Sequence, residues 1–240
     1  MLGQLTRPDV WRALLVGLGF SALYALGGLA LRLAQRWLAA RTSPAAVRMQ
    51  RWPGWAWLAP LLAAAAALAW GSGWAFGGVL AGADLGLLLP ERALCRWALG
   101  ISGGAAVWLA LLWRRALGVA PGAPRSTTRW WNWPLTALAD EGLTAIWRAA
   151  LAPLAGDYWS IWLAPLCAQG TRATLPTVRR RLADSTERPA VLLAWALDWV
   201  GSALFLYTRS AWTSILGRAL CGTLVWLVCA RRRRSADDQR

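Results

Sequence analysis

Arginines divide this chain into long stretches that carry little or no charge, and that spacing limits its possible folds more than any other feature. Nineteen uncharged residues run from Ala13 to Leu31 and thirty from Gly54 to Ala83. Further runs follow at Trp97–Trp113, Tyr158–Gly170, Ala190–Tyr207 and Ala211–Ala230, the last two interrupted only by Asp198 and Arg218. A membrane-spanning helix needs about 20 predominantly apolar residues. A soluble domain would carry about 25% charged residues, whereas this chain has 15% charged and 58% apolar residues. The sequence therefore predicts a polytopic membrane protein, with the first run retained as a span. Arginines and no small-x-small cleavage site follow that run.

The segment Pro134–Gly156 has the same apolar helical pattern but contains Asp140, Glu141 and Arg148. The arginine distribution decides whether it counts as a span. Nineteen of the 26 arginines lie in four stretches: Arg32–Arg51, Arg114–Arg129, Arg172–Arg188, and the tail with Arg231–Arg234 and Arg240. With seven spans all four stretches fall on one side; with six, the last two change sides. Basic residues near span ends mark the cytoplasmic side. The expectation is an all-α bundle of about seven transmembrane helices in the inner (plasma) membrane, amino terminus outside and carboxyl terminus in the cytoplasm. Residues 1–117 would hold three spans, 118–133 a Pro/Gly-rich linker, 134–230 a four-helix core and 231–240 a basic cytoplasmic tail.

The formal net charge of +15 is then mainly topology signal. A nucleic-acid-binding protein would place its cations on a polar surface that folds in water, so nucleic acid is excluded as a partner. The expected partners are the lipid bilayer, anionic lipid at the Arg231–Arg234 tail, and other membrane-protein subunits. Many of the 20 tryptophans flank the runs, as an aromatic belt requires. Cys95, Cys167, Cys221 and Cys229 lie in apolar segments without C-x-x-C spacing, which indicates neither disulfides nor a metal site. No histidine is present to ligate haem, and no cofactor or metal is expected.

An ionisable group inside a span costs about 2.5–3.5 kcal/mol on insertion scales, so each calls for a partner. Counted from the outer span ends at 1.5 Å per residue, Arg148, Asp198 and Arg218 all lie at a depth of about 11–14 Å. Glu141 is deeper, at about 23 Å. Arg148, Asp198 and Arg218 form a candidate ion-pair cluster. Glu141 and Arg148, two turns apart, share a helix face. Such a cluster either fixes helix register or forms an active or transport site.

The stretch Leu204–Leu220, with Thr208-Arg209-Ser210-Ala211-Trp212, Ile215 and Arg218, resembles the last signature segment of the CPBP family. That family comprises type II CAAX prenyl endopeptidases and bacteriocin-processing proteins. Asp140-Glu141 followed by a helical run to Arg148 looks like its first motif, two acids and then arginine. The resemblance covers about residues 139–223. It departs from the pattern where Arg218 stands for histidine, Gly222 for asparagine and Ala145 for the motif arginine. No histidine occurs near Trp159–Cys167.

The resemblance implies a membrane endopeptidase in which Glu141 activates water, with Asp140 and Arg148 as the other catalytic candidates. Arginine stays protonated and cannot accept a proton, so with Arg218 in the histidine position a closed ion pair with Asp198 or Glu141 is expected. The reading is a proteolytically inactive relative that acts as a scaffold or accessory subunit. The alternatives are an active glutamate-dependent endopeptidase and an anion pathway past Arg148 and Arg218.

Overall fold

The computed structural model describes residues 8–41, 47, 97–98, 100–105, 107–109, 111–112, 132–185 and 187–237. The expected second span, Gly54–Ala83, and most of the 118–133 linker lie outside the described residues. Everything regular that is described is helical, as expected for an all-α chain. Two helical segments, Val10–Ala39 and Arg188–Thr208, are long and apolar enough to cross a membrane.

The first helix, α1, runs Pro8–Ala39 and contains the Ala13–Leu31 run. Pro8 suits a first turn, where its missing N–H would have no partner. The next long helix, α2 (Asn132–Ala173), breaks at Gly156, whose φ 74 and ψ 166 lie in a region essentially restricted to glycine. The break folds α2 into two antiparallel arms. Asp140 meets Arg172 across it, and Trp147 Nε1 donates to Thr171 Oγ1 at 3.1 Å. The sequence reads the same two arms as Pro134–Gly156 and Tyr158–Gly170.

A short helix, α3 (Pro176–Ala183), leads to α4 (Arg188–Thr208), and a two-residue turn leads to α5 (Ala211–Asp237). The expected runs Ala190–Tyr207 and Ala211–Ala230 match α4 and the greater part of α5. Helix α5 continues through the arginine tail, consistent with the high helix propensity of arginine.

Two apolar clusters hold these elements. Phe20 of α1 packs with Leu143, Ile146, Trp147 and Ala150 of the first α2 arm and with Ala164 and Ala168 of the second. A Cβ on Gly17 would meet Ala150 Cβ at 3.0 Å, so α1 approaches α2 at backbone distance. Leu193 and Leu197 of α4 pack on Cys221 and Val225 of α5. Ser21 and Thr171 share a 2.9 Å hydrogen bond that joins α1 to α2. Cys167 and Cys221 are free thiols.

The α4–α5 turn places Arg209 in the left-handed region at φ 51, its N–H bonded to Phe205 O. The Thr208 and Thr213 hydroxyls hydrogen-bond to each other, and Thr213 Oγ1 donates to Ser210 O. A non-glycine residue pays about 1–2 kcal/mol for this conformation. Arg209→Gly is expected to raise stability by about 0.5–1 kcal/mol after the entropy of the unfolded glycine is counted. Thermal melting in detergent would read the shift, and a lower melting point would mean that the Arg209 side chain stabilises the turn.

Candidate functional site

All five residues singled out in the sequence meet inside the bundle, together with Arg172. Asp140, Glu141 and Arg148 come from the first α2 arm, Arg172 from the second, Asp198 from α4 and Arg218 from α5. Their charged groups form one continuous row of alternating sign. Arg148 Nη2 lies 2.7 Å from Glu141 Oε1, and Arg218 Nη2 lies 3.0 Å from Glu141 Oε2. Arg218 Nη1 continues the row to Asp198 Oδ1 at 2.8 Å. Arg172 then links Asp198 Oδ2 at 2.8 Å to Asp140 Oδ1 at 3.2 Å. Three cations and three carboxylates make the row formally neutral.

The row is deeply buried: Asp198 is 0% exposed, Glu141 1%, Arg218 2% and Arg148 3%. Charges at such depth survive only with partners and further hydrogen bonds. Ser214 Oγ donates to Glu141 Oε2 at 2.6 Å, and Arg218 Nη2 reaches Asp198 O at 3.4 Å. Gln169 Nε2 donates to Trp195 O at 3.2 Å and approaches Asp198 Oδ2 at 3.4 Å. The Arg172–Asp198 approach is not angled for a directed hydrogen bond at Nη2, so it is mainly coulombic. Arg148 has its Nε and Nη1 without hydrogen-bond partners among the described residues, but its guanidinium lies 3.3 Å from the Phe205 ring centroid. That cation–π contact stands where hydrogen bonds are missing.

Gly201 makes room for the centre of the row. A Cβ there would lie 2.6 Å from Ser214 Oγ and 2.7 Å from Arg218 Cζ, and closer still to Arg218 Nε. The Arg218 guanidinium therefore runs along the bare α4 backbone between Asp198 and Ser202.

Within the expected cluster Asp198 pairs with Arg218, while Arg148 reaches back along its own helix to Glu141, the direction that their shared face suggests. The seven-residue spacing allows this, because two turns put both side chains on one face. Arg218 bridges both acids instead of choosing one. Arg172, Ser214 and Gln169 are the residues that sequence reasoning passed over. Arg172 reads as a cytoplasmic linker arginine, yet helix α2 continues past Gly170 and carries it into the bundle, 7% exposed. Its spacing of three from Gln169 put both on one helical face, and that signal was available.

Chemically, the arrangement occupies Glu141 on both oxygens. A general base must direct a lone pair at the proton it removes, and a carboxylate has about four acceptor positions. Here Arg148 donates to Oε1 and Ser214 to Oε2, and the Arg218 guanidinium lies 3.0 Å from Oε2 as an ion pair, so both oxygens are held by cations and one acceptor position on Oε1 is left. Asp198 is likewise held by two guanidiniums. Among the described residues, no group of three or more His, Cys, Asp or Glu side chains could hold a metal ion. Comparison of the chain with known protein families, curated proteins and solved structures returns no match.

Proposed function

We propose that this chain is a seven-span protein of the inner membrane, amino terminus outside, that descends from CPBP-type endopeptidases and has no proteolytic activity. It works as a scaffold or accessory subunit of a larger membrane complex. One observation carries the loss of catalysis: both oxygens of Glu141 are engaged by Arg148, Arg218 and Ser214.

Several features support the membrane reading. Leu15, Leu18, Leu26 and Leu29 of α1 and Leu216, Leu220 and Leu224 of α5 are exposed, as lipid-facing positions would be. The two α2 arms antiparallel to each other, and the α4–α5 hairpin, agree with the alternation that the arginine stretches require. The six ionisable groups of the charged row are turned into the bundle and paired there, where a bilayer would demand it.

Proteoliposomes containing the protein should leave a CAAX-type prenyl peptide intact, in wild type and in Glu141→Gln alike. Cleavage by wild type that disappears in Glu141→Gln would establish the glutamate-dependent endopeptidase instead. Purification in mild detergent at native expression level should bring down a stoichiometric membrane partner. A protein that emerges alone would remove the accessory role.

A further inference from the structure

We propose that α3 and the carboxyl end of α1 form a binding site for the phosphate groups of anionic phospholipids in the adjoining leaflet. This inference rests on the membrane reading, which fixes the level at which the site lies. The uncharged run Ala13–Leu31 spans about 28 Å as helix, close to the roughly 30 Å hydrocarbon thickness. Arg32 and Arg36 follow within the next two turns, at the level of the headgroups.

Helix α3 is tied to that level. Arg32 Nη2 donates to Thr177 Oγ1 at 2.7 Å, and Leu175 packs so tightly on Gly28 that a Cβ there would lie 2.8 Å from Leu175 Cδ2. Leu175, Val178 and Leu182 are half-buried on one side, while no residue of α3 is fully buried. The other sides carry Arg179, Arg180 and Arg181, all exposed. A short helix with an apolar underside and a cationic rim is suited to lying in the interface plane.

The cations that remain open are identifiable. Arg181 is committed to Glu187 at 2.8 Å, and Arg188 caps Leu182 O at 2.7 Å. Arg179 uses only Nε, on Ala173 O at 2.8 Å. The guanidiniums of Arg36 and Arg180 are exposed and have no partner among the described residues. Guanidinium forks match phosphate oxygens two at a time. Beside them Trp37 is exposed, with Arg41 stacked 3.6 Å from its ring centroid, which gives the site an indole at the headgroup boundary. An acyl chain of the bound lipid would lie along the exposed Leu29 and Leu33 of α1.

The test is native mass spectrometry of the full-length protein released from bilayers of phosphatidylcholine mixed with phosphatidylglycerol. Wild type should retain phosphatidylglycerol preferentially. Each interfacial arginine is worth about a fivefold gain, so Arg179→Gln with Arg180→Gln should lower the retained fraction about 30-fold. Arg179→Lys with Arg180→Lys, which keeps the charge, should recover most of it. These variants are compared in a background with Arg231–Arg234 replaced by glutamine, which removes the separate anionic-lipid contact expected at the tail. Retention unchanged in the double glutamine variant overturns the site. So does displacement of the lipid by inorganic phosphate at equal concentration, which would assign a free anion, and so does preferential capture of RNA or an acidic protein. Vesicle flotation separates the two levels: a protein that fails to float removes the membrane reading itself, whereas one that floats without lipid preference removes only this site.

Discussion

Asp198→Leu is expected to destabilise the protein by about 3–5 kcal/mol, the usual result of removing one partner of a buried pair. Asp198 is fully buried between Arg218 at 2.8 Å and Arg172 at 2.8 Å. Without it, two guanidiniums face each other across an apolar gap. Arg218→Met should be similarly damaging, because it leaves Asp198 and Glu141 each short of a cation. The double variant should be much milder than either single change. Removing the central cation and anion together leaves Arg148–Glu141 and Arg172–Asp140 as two intact neutral pairs. Melting temperatures of the two singles and the double in detergent give the coupling directly. If the double is as unstable as the sum of the singles, the row is not organised as alternating pairs.

Gly201→Val should be nearly as severe, at about 3 kcal/mol or more, since overpacking and a broken ion pair act together. The side chain would occupy the space of the Arg218 guanidinium and the Ser214 hydroxyl, both of which serve Glu141. An isolated overpacking effect would persist in every background. The geometry instead predicts that Gly201→Val costs less once Arg218→Met and Asp198→Leu are present, because the buried ion pair it would break is gone and only the Ser214 hydroxyl and a flexible methionine end still crowd the site. Equal destabilisation in both backgrounds would place the strain in the α4 backbone and not at Arg218.

Helix boundaries were legible because they depend on local pattern. Runs ending at Gly156, Tyr207 and Ala211 coincide with turns that glycine, or the Arg209-Ser210 pair, makes in the chain. The depth count also brought Asp198 and Arg218 together, since both positions are fixed by short distances from the same turn. For Arg148 the helix face shared with Glu141 counts for more than depth, because side-chain reach exceeds the rise of a helical turn. Arg172 was hidden for a different reason. Its position just past an apolar run gives it the same signature as a topology arginine, and only tertiary packing distinguishes a cation that turns inward. Ser214 carries no charge to mark it, and its role follows from facing Glu141 across two helices that are far apart in sequence.

The row of charges also bears on how such a chain could enter a bilayer during synthesis. Arg148–Glu141 and Arg172–Asp140 are contained within the folded-back α2, and Arg218–Asp198 within the α4–α5 pair. Only Arg218–Glu141 and Arg172–Asp198 join one pair of helices to the other. On the proposed membrane reading, each hairpin would carry its own counter-ions and leave the translocation machinery already neutralised, without an unpaired charge in lipid while its neighbour is still being made. The two remaining bridges would then act as the docking step, formed only when both hairpins have arrived.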